Sequence, residues 1–240
     1  MCEALEACAN EAPITRVWIG SAGIDADESA RIATEALRCA MPRVHEWNVM
    51  NDAALLCATA PHDRPCVVCI AGTGSVVLAY DAQRTRIKRV GGLGWLLGDE
   101  GSAVGVGRAA LRHVLSEPSP LLDVILAATG VATADDLLRY VYTDDSRARI
   151  AALAQVVTRA ARDGHAVARR IVQLEAQAMA ACIDRAAPPI PAACRLGGAL
   201  FGDAGYLAHV LHHIQTPFID IQVVHDICGA AAQSKAIRPW

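Results

Sequence analysis

The sequence predicts an α/β fold in which an antiparallel hairpin and a long helical block interrupt the alternation of strands and helices. Three observations carry that reading. "PCVVCIAGTGS" (65–75) is a continuous apolar run ending in a Gly/Thr/Ser turn, the pattern of a buried strand. "VVLAYDAQRTRIKRVGG" alternates about a turn at Asp81–Arg84, the pattern of a hairpin. Helical patterns then cover most of residues 102–187.

The elements follow in order. Residues 1–12 read as helical. "TRVWIGSAGID" contains a short apolar strand that ends in a Gly-rich turn. "DADESARIATEALRCAM" starts on Asp25 and Asp27, which favour a helix N-terminus, and continues through Ile32, Leu37 and Met41 until Pro42 stops it. "VHEWNVMN" is a second strand, and "DAALLCATA" a short helix with Asp52 at the junction. After the hairpin come "SAVGVGRAALRHVL", "SPLLDVILAAT", "ATADDLLRYVY" and one helical stretch over 146–187. "AACRLGGALFG" is a strand running into a double-Gly turn. "AGYLAHVLHHI" is a helix, "FIDIQVVH" a strand and "DICGAAAQSKAI" a closing helix.

Composition narrows the function classes. With 53% hydrophobic and 20% charged residues, the 240-residue chain can bury a sizeable core. A net charge of -3 with no basic run argues against nucleic acid or an anionic membrane as the main partner. No apolar run approaches the ~18 residues of a membrane helix. The start "MCEALEACANEAP" lacks the basic-then-apolar order of a signal peptide. The nine cysteines are scattered, and the one close pair, Cys66 and Cys69, falls on a strand where the two point to opposite faces. That pair reads as buried structural thiols, with metal or redox work as the alternative, and a reducing cytoplasm fits. The eight histidines show no metal-ligand spacing.

Four stretches carry candidate chemistry. "AGTGS" can aim backbone N–H groups and two hydroxyls (Thr73, Ser75) at one point, as a phosphate site does; a plain hairpin turn also favours Gly-Thr-Gly-Ser. Asp52, after Asn51 and before small residues, suits a helix cap, and it equally suits a general base at a strand's C-terminal end. "GGLGWLLGDEGSA" (91–103) spends five glycines beside Asp99 and Glu100. Acids at a helix start favour its dipole, but a loop that approaches a polar ligand through its backbone explains the glycines as well. "RLGGALFG" is an ordinary strand-to-helix turn, or a place where backbone passes a flat group such as adenine.

Taken in order, "NDAALLCAT", "IAGTGS", "GGLGWLLGDEGSA" and "LGGALFG" resemble the N-acetylglucosamine/glucosamine kinase branch of the BadF/BadG-type ATPases, with an actin-like, hexokinase-type (ribonuclease H-like) two-lobe fold. The resemblance runs from about residue 14 to the C-terminus. It implies ATP-dependent phosphorylation of an amino sugar at its 6-hydroxyl, with ATP and Mg²⁺ as cofactors. It implies Asp52 as catalytic base. It assigns Gly72, Thr73, Gly74 and Ser75 to a phosphate turn, and Gly197 and Gly198 to the adenosine side. Asn51, Gly92, Leu93, Gly94, Asp99 and Glu100 would bind sugar, Asp99 accepting ligand hydroxyls and Glu100 standing at the helix start or supporting Asp99 from behind. Many members have Trp where Leu93 stands, and here Trp95 follows instead. Dimers through the second lobe are common in the family, so a homodimer is in keeping with it.

The family opens with a strand hairpin bearing an Asp and a Gly/Thr-rich turn that grips the nucleotide phosphates, and a sugar-binding segment follows. "MCEALEACANEAPITRVWIG" matches neither. The resemblance therefore implies an N-terminally truncated chain, from a misplaced start, a fragment or a degenerate kinase. Residues 1–62 with 226–240 would be the remnant of the first lobe, and 63–225 the second lobe with helical block 102–187. Strands near 16–20 and 44–50 would expose an edge, leaving the first lobe incomplete or completed by a partner. Turnover would be impaired. The alternatives are a non-catalytic sugar- or nucleotide-sensing module and, on the shared fold, an activator ATPase of a radical dehydratase. The activator would need cysteines placed for an iron–sulfur cluster.

Overall fold

A computed structural model describes residues 14–21, 24 and 27–233. The helix expected over 1–12 and the helix starter Asp25 lie outside the described residues. The chain divides into two units, Met1–Ala60 with Asp226–Trp240, and Pro61–His225.

In the first unit, β1 (Arg16–Gly20) and β2 (Glu46–Met50) pair in parallel, with Val17 opposite Trp47. Parallel strands need a crossover, and α1 (Asp27–Ala40) supplies it. Val17, Val44 and Trp47 form a small core, against which Ile14, Ile19, Leu37 and Met41 pack. Among the described residues β1 and β2 have no other strand neighbour. The short α2 (Asp52–Cys57) leaves β2 directly and buries Ala53, Leu55, Leu56 and Cys57.

The second unit is built on a five-stranded sheet of order β5-β4-β3-β6-β7. Its strands are β3 (Cys66–Ala71), β4 (Ser75–Tyr80), β5 (Arg86–Gly91), β6 (Ala193–Gly197) and β7 (Asp220–Val224). β3, β4 and β5 are mutually antiparallel; β6 runs parallel to β3, and β7 to β6. Central position explains the unbroken apolar run of β3: Cys66, Val67, Val68 and Cys69 are all fully buried, on both faces. The β4–β5 turn forms as the sequence predicts. Asp81 accepts from the Thr85 N–H through Oδ1 (2.8 Å), and Arg84 takes the left-handed position at φ 67°.

Helices α3 (Ala103–Ser116), α4 (Leu121–Thr129), α5 (Ala134–Val141), α6 (Ser146–Arg162), α7 (Ala166–Ala186) and α8 (Ala204–His213) complete this unit, and α9 (Ile227–Gln233) belongs to the first. Apolar residues of the helices and one sheet face form a continuous core that includes Val67, Cys69, Val106, Leu153, Ile183 and Leu196. The single helical stretch expected over 146–187 is two helices. Gly164, at φ 97°, breaks it, and His165 Nδ1 accepts from the Ala168 N–H (3.4 Å) to cap the second. Burial pushes the Cys69 and Cys194 thiols up, so they stay protonated and inert. Among the described residues no group of three metal-ligating side chains is gathered, and no helix is long and apolar enough to cross a membrane.

Candidate active site

The turn between β3 and β4 is the nucleus of the site. Ala71 faces Ser75 across the hairpin, and Gly72-Thr73-Gly74 join them. The start of α3 docks on this turn: Ala103 N–H donates to the Gly72 carbonyl (2.9 Å) and Val104 N–H to that of Thr73 (3.2 Å). A helix N-terminus, with its positive end, is thereby fixed against the turn. The cap of α3 is Ser102, fully buried, whose Oγ accepts from the Gly105 N–H (3.0 Å). That corrects the expected helix-start role of Glu100. Its side chain is exposed and no acid stands in the first turn of α3. Glu100 contributes its carbonyl, which accepts from Ser75 Oγ (2.7 Å).

Asp99 is the most unusual residue of the site. Its backbone sits in the left-handed region at φ 61°, although it is not glycine. Its side chain is 3% exposed. Oδ1 accepts from the Ser75 N–H (3.3 Å), whereas Oδ2 is buried with no hydrogen-bond partner. Strained backbone and an unpaired buried oxygen at one residue are costly features that cluster at functional sites. Asp99 also leaves no space beside Gly74, where an added Cβ would lie 2.7 Å from Oδ2.

The rest of the loop is held from the helical side. Arg108 Nη1 donates to the Trp95 carbonyl (2.7 Å) and Nη2 to that of Gly98 (3.0 Å). Trp95 packs on the core, while Leu93 is 66% exposed. Gly92 and Gly94 adopt left-handed backbone at φ 69° and 81°. Gly101, also left-handed, donates its N–H to Glu175 Oε2 (2.8 Å) and accepts from the Tyr206 hydroxyl.

Burial pushes the Glu175 carboxyl above its ordinary value of 4.5, against the opposing pull of the Gly101 N–H and Arg108. A carboxyl raised in this way adds stability below the unfolded value, and that contribution is lost as pH rises through the folded value. Stability is therefore expected to fall by this group's share as pH rises from about 4.5. Glu175→Gln, which keeps an acceptor for Gly101, should flatten that slope. Melting temperatures of both proteins across the acid range check this, and equal slopes would exclude Glu175 as the source.

A cavity of about 1000 Å³ opens on the turn. Gly72, Thr73 and Ala103 form one part of its wall, and Ala199, Leu200, Gly202 and Asp203 another. A face of α6 that includes Arg147, Ala151, Gln155, Thr158 and Arg162 completes it. Two turns over a hundred residues apart thus share one cavity. Gly197 and Gly198 do not line it. At φ 107°, Gly198 lies so close to Ala71 that a side chain would run into the Ala71 carbonyl. The closely approaching group is the protein's own strand. Asp203 caps α8, Oδ1 accepting from the Tyr206 N–H (2.9 Å), and its Oδ2 pairs with Arg162 (3.0 Å).

In the first unit, Asn51 and Asp52 occupy the β2–α2 junction. The cap here is Asn51, whose Oδ1 accepts from the Ala53 N–H (2.9 Å). Asp52 is the first helical residue, so the capping role weighed for it from sequence falls to its neighbour.

Sequence reasoning missed α6 as a wall, and with it Arg147 and Arg162; it also missed Glu175 and Arg108. One trace was present. Ala148, Ala151 and Ala152 form a small-residue face of α6 with arginines at both ends.

The chain matches the BadF/BadG/BcrA/BcrD ATPase family over residues 2–229. Over 178 residues it is 30% identical to an N-acetylmuramic acid/N-acetylglucosamine kinase of Clostridium acetobutylicum, covering 71% of this chain and 56% of that protein. It is 26% identical to an N-acetyl-D-glucosamine kinase of Dictyostelium discoideum, covering 55% and 43%. The chain spans about half the length of these curated relatives. Among solved structures, a protein assigned as an N-acetylglucosamine kinase from Porphyromonas gingivalis superposes with TM-score 0.81 at 22% identity, covering 97% of this chain and 81% of that one. A ROK family glucokinase from Streptomyces griseus, in complex with glucose and AMPPNP, gives 0.64 at 16%, covering 97% and 85%.

Proposed function

The chain belongs to the BadF/BadG/BcrA/BcrD ATPase family and has the actin-like ATPase fold, and from that premise we propose that it transfers the terminal phosphate of ATP to the 6-hydroxyl of an amino sugar, N-acetylglucosamine or glucosamine. The observation that carries the reading is the one cavity shared by the Gly72–Thr73 turn and the Ala199–Asp203 segment. A glycine turn docked on a helix N-terminus suits phosphates. Small residues of α6 leave room for a nucleoside between that turn and Asp203.

In this reading Asp52 takes the proton from the sugar 6-hydroxyl. The freed oxygen attacks the γ-phosphorus, the bond to the β–γ bridging oxygen breaks, and ADP leaves. The Gly72–Thr73–Gly74–Ser75 turn holds the phosphates, and Ala199, Leu200, Gly202 and Asp203 line the adenosine side, seated by the close packing of Gly198, after Gly197, on Ala71. Gly92, Leu93 and Gly94 bring backbone to the sugar, and the unpaired Oδ2 of Asp99 accepts a sugar hydroxyl. Magnesium carried by the nucleotide would neutralise phosphate charge. Such an ion binds through phosphates, water and one or two carboxylates, and Asp144 and Asp145 on the cavity wall would supply those carboxylates.

Incubation with ATP, Mg²⁺ and either sugar is expected to yield the sugar 6-phosphate and ADP in equal amounts. Binding of sugar and nucleotide without product would replace the kinase reading with a sensing module. Binding of neither would remove both.

A further inference from the structure

Arg147 stands in the first turn of α6, on the wall of the nucleotide cavity. A helix N-terminus is the positive end of its dipole, so a cation there sits in an unfavourable field. Two other arginines of α6 are engaged. Arg149 donates to the Tyr140 carbonyl (2.8 Å) and lies 4.6 Å over that residue's ring. Arg162, at the far end of α6, pairs with Asp203. Arg147 makes no hydrogen bond or ion pair among the described residues. Even so, its guanidinium is held over the phosphate turn. Nη2 lies 3.1 Å from the point where a Cβ on Gly74 would stand, and Asp99 Oδ2 lies 2.7 Å from the same point. A free guanidinium and an unpaired buried carboxylate oxygen thus converge on the third residue of the turn without bonding each other.

Length decides which part of a nucleotide this cation would meet. From Arg147 to Arg162 the cavity face of α6 runs about 22 Å, at roughly 1.5 Å per residue. That span accommodates an extended nucleoside triphosphate. Arg162 and Asp203 mark one end, and Thr73 and Arg147 the other. Asp144 and Asp145 line the same mouth, so its charge is mixed, as a metal-bound triphosphate requires.

We propose that Arg147 binds the terminal phosphate of the nucleotide in this cavity and so distinguishes a triphosphate from a diphosphate. The proposal rests on the nucleotide reading of the cavity given above. Arginine suits the task because its planar fork meets two phosphate oxygens at once.

The test is calorimetric titration of a non-hydrolysable ATP analogue, ADP and AMP, each with Mg²⁺, into the wild type, Arg147→Gln and Arg147→Lys. Arg147→Gln is expected to weaken the triphosphate about ten- to a hundredfold and to leave AMP unchanged. Arg147→Lys, with the charge but not the fork, should fall between. Unchanged melting temperatures would show that both variants fold. Equal weakening of all three nucleotides, or of none, overturns the proposal while the nucleotide site stands. A wild type that binds no nucleotide overturns the cavity reading, and the proposal with it.

Discussion

Asp52→Asn is expected to lower sugar phosphorylation by about 10²–10⁴-fold in kcat while leaving the fold nearly as stable as before. The two halves of that expectation rest on different atoms. The helix beginning at Asp52 is capped by Asn51, in extended backbone at φ -63° and ψ 145°, through its own Oδ1. Asp52 adds a second, longer contact to the same Ala53 N–H (3.0 Å). Asparagine at position 52 keeps an acceptor for that N–H, and the lost attraction of a negative charge for the helix start is worth about 0.3–1 kcal/mol. Proton abstraction has no such substitute, because an amide is not a base at neutral pH. Asn51→Ala, which removes the cap itself, should show a stability loss of about 1 kcal/mol with no loss of the base. Initial rates and melting curves on the two variants decide the matter. If Asp52→Asn retains a tenth or more of wild-type kcat, Asp52 is not the base.

What the sequence made legible follows from the range of the forces involved. Strands and helices rest on apolar spacing within a few residues, and the run at Cys66–Ala71 and the alternation around Asp81–Arg84 both appear where expected. The break at Gly164 was illegible because the apolar spacing carries on through it. Caps were read to the right turn but not always to the right residue: Ser102 and Asn51 hold the positions weighed for Glu100 and Asp52. The site was legible as glycine turns and acids, since those are local. Its couplings were not. Ser75 meets Asp99 across 24 residues of chain, and Gly101 meets Glu175 across 74. Arg147 carries no local mark, and its place over Gly74 exists only once α6 is laid against the turn. The double glycine at Gly197–Gly198 suits an ordinary strand-to-helix turn or backbone passing a flat group such as adenine. The structure supplies Ala71 as the group that Gly198 approaches.

Gly107→Ala is expected to cost about 2–4 kcal/mol of stability, against the direction that helix propensity alone would give. In a free helix, alanine in place of glycine gains about 1 kcal/mol. Here Gly107 lies on the face of α3 that meets α6, and a Cβ would run into the carbonyl oxygen of Ile150, with the carbonyl carbon at 2.9 Å and Ile150 Cγ2 at 3.2 Å. The obstacle is backbone in mid-helix, so no rotamer change relieves it. The two helices have to part, and the dispersion contacts along their seam weaken together. Gly105 provides the comparison within the same helix. Its added Cβ would meet the flexible end of Glu175 at 2.5 Å and the Asp99 carbonyl at 3.0 Å, so it should be the milder change. Denaturant midpoints should rank wild type above Gly105→Ala and Gly105→Ala above Gly107→Ala. Because α6 carries Arg147, Ala151 and Gln155 into the cavity wall, its displacement should weaken nucleotide binding as well. A Gly107→Ala protein as stable as the wild type would mean that α3 and α6 do not approach this closely, and the cavity wall built on α6 would have to be redrawn.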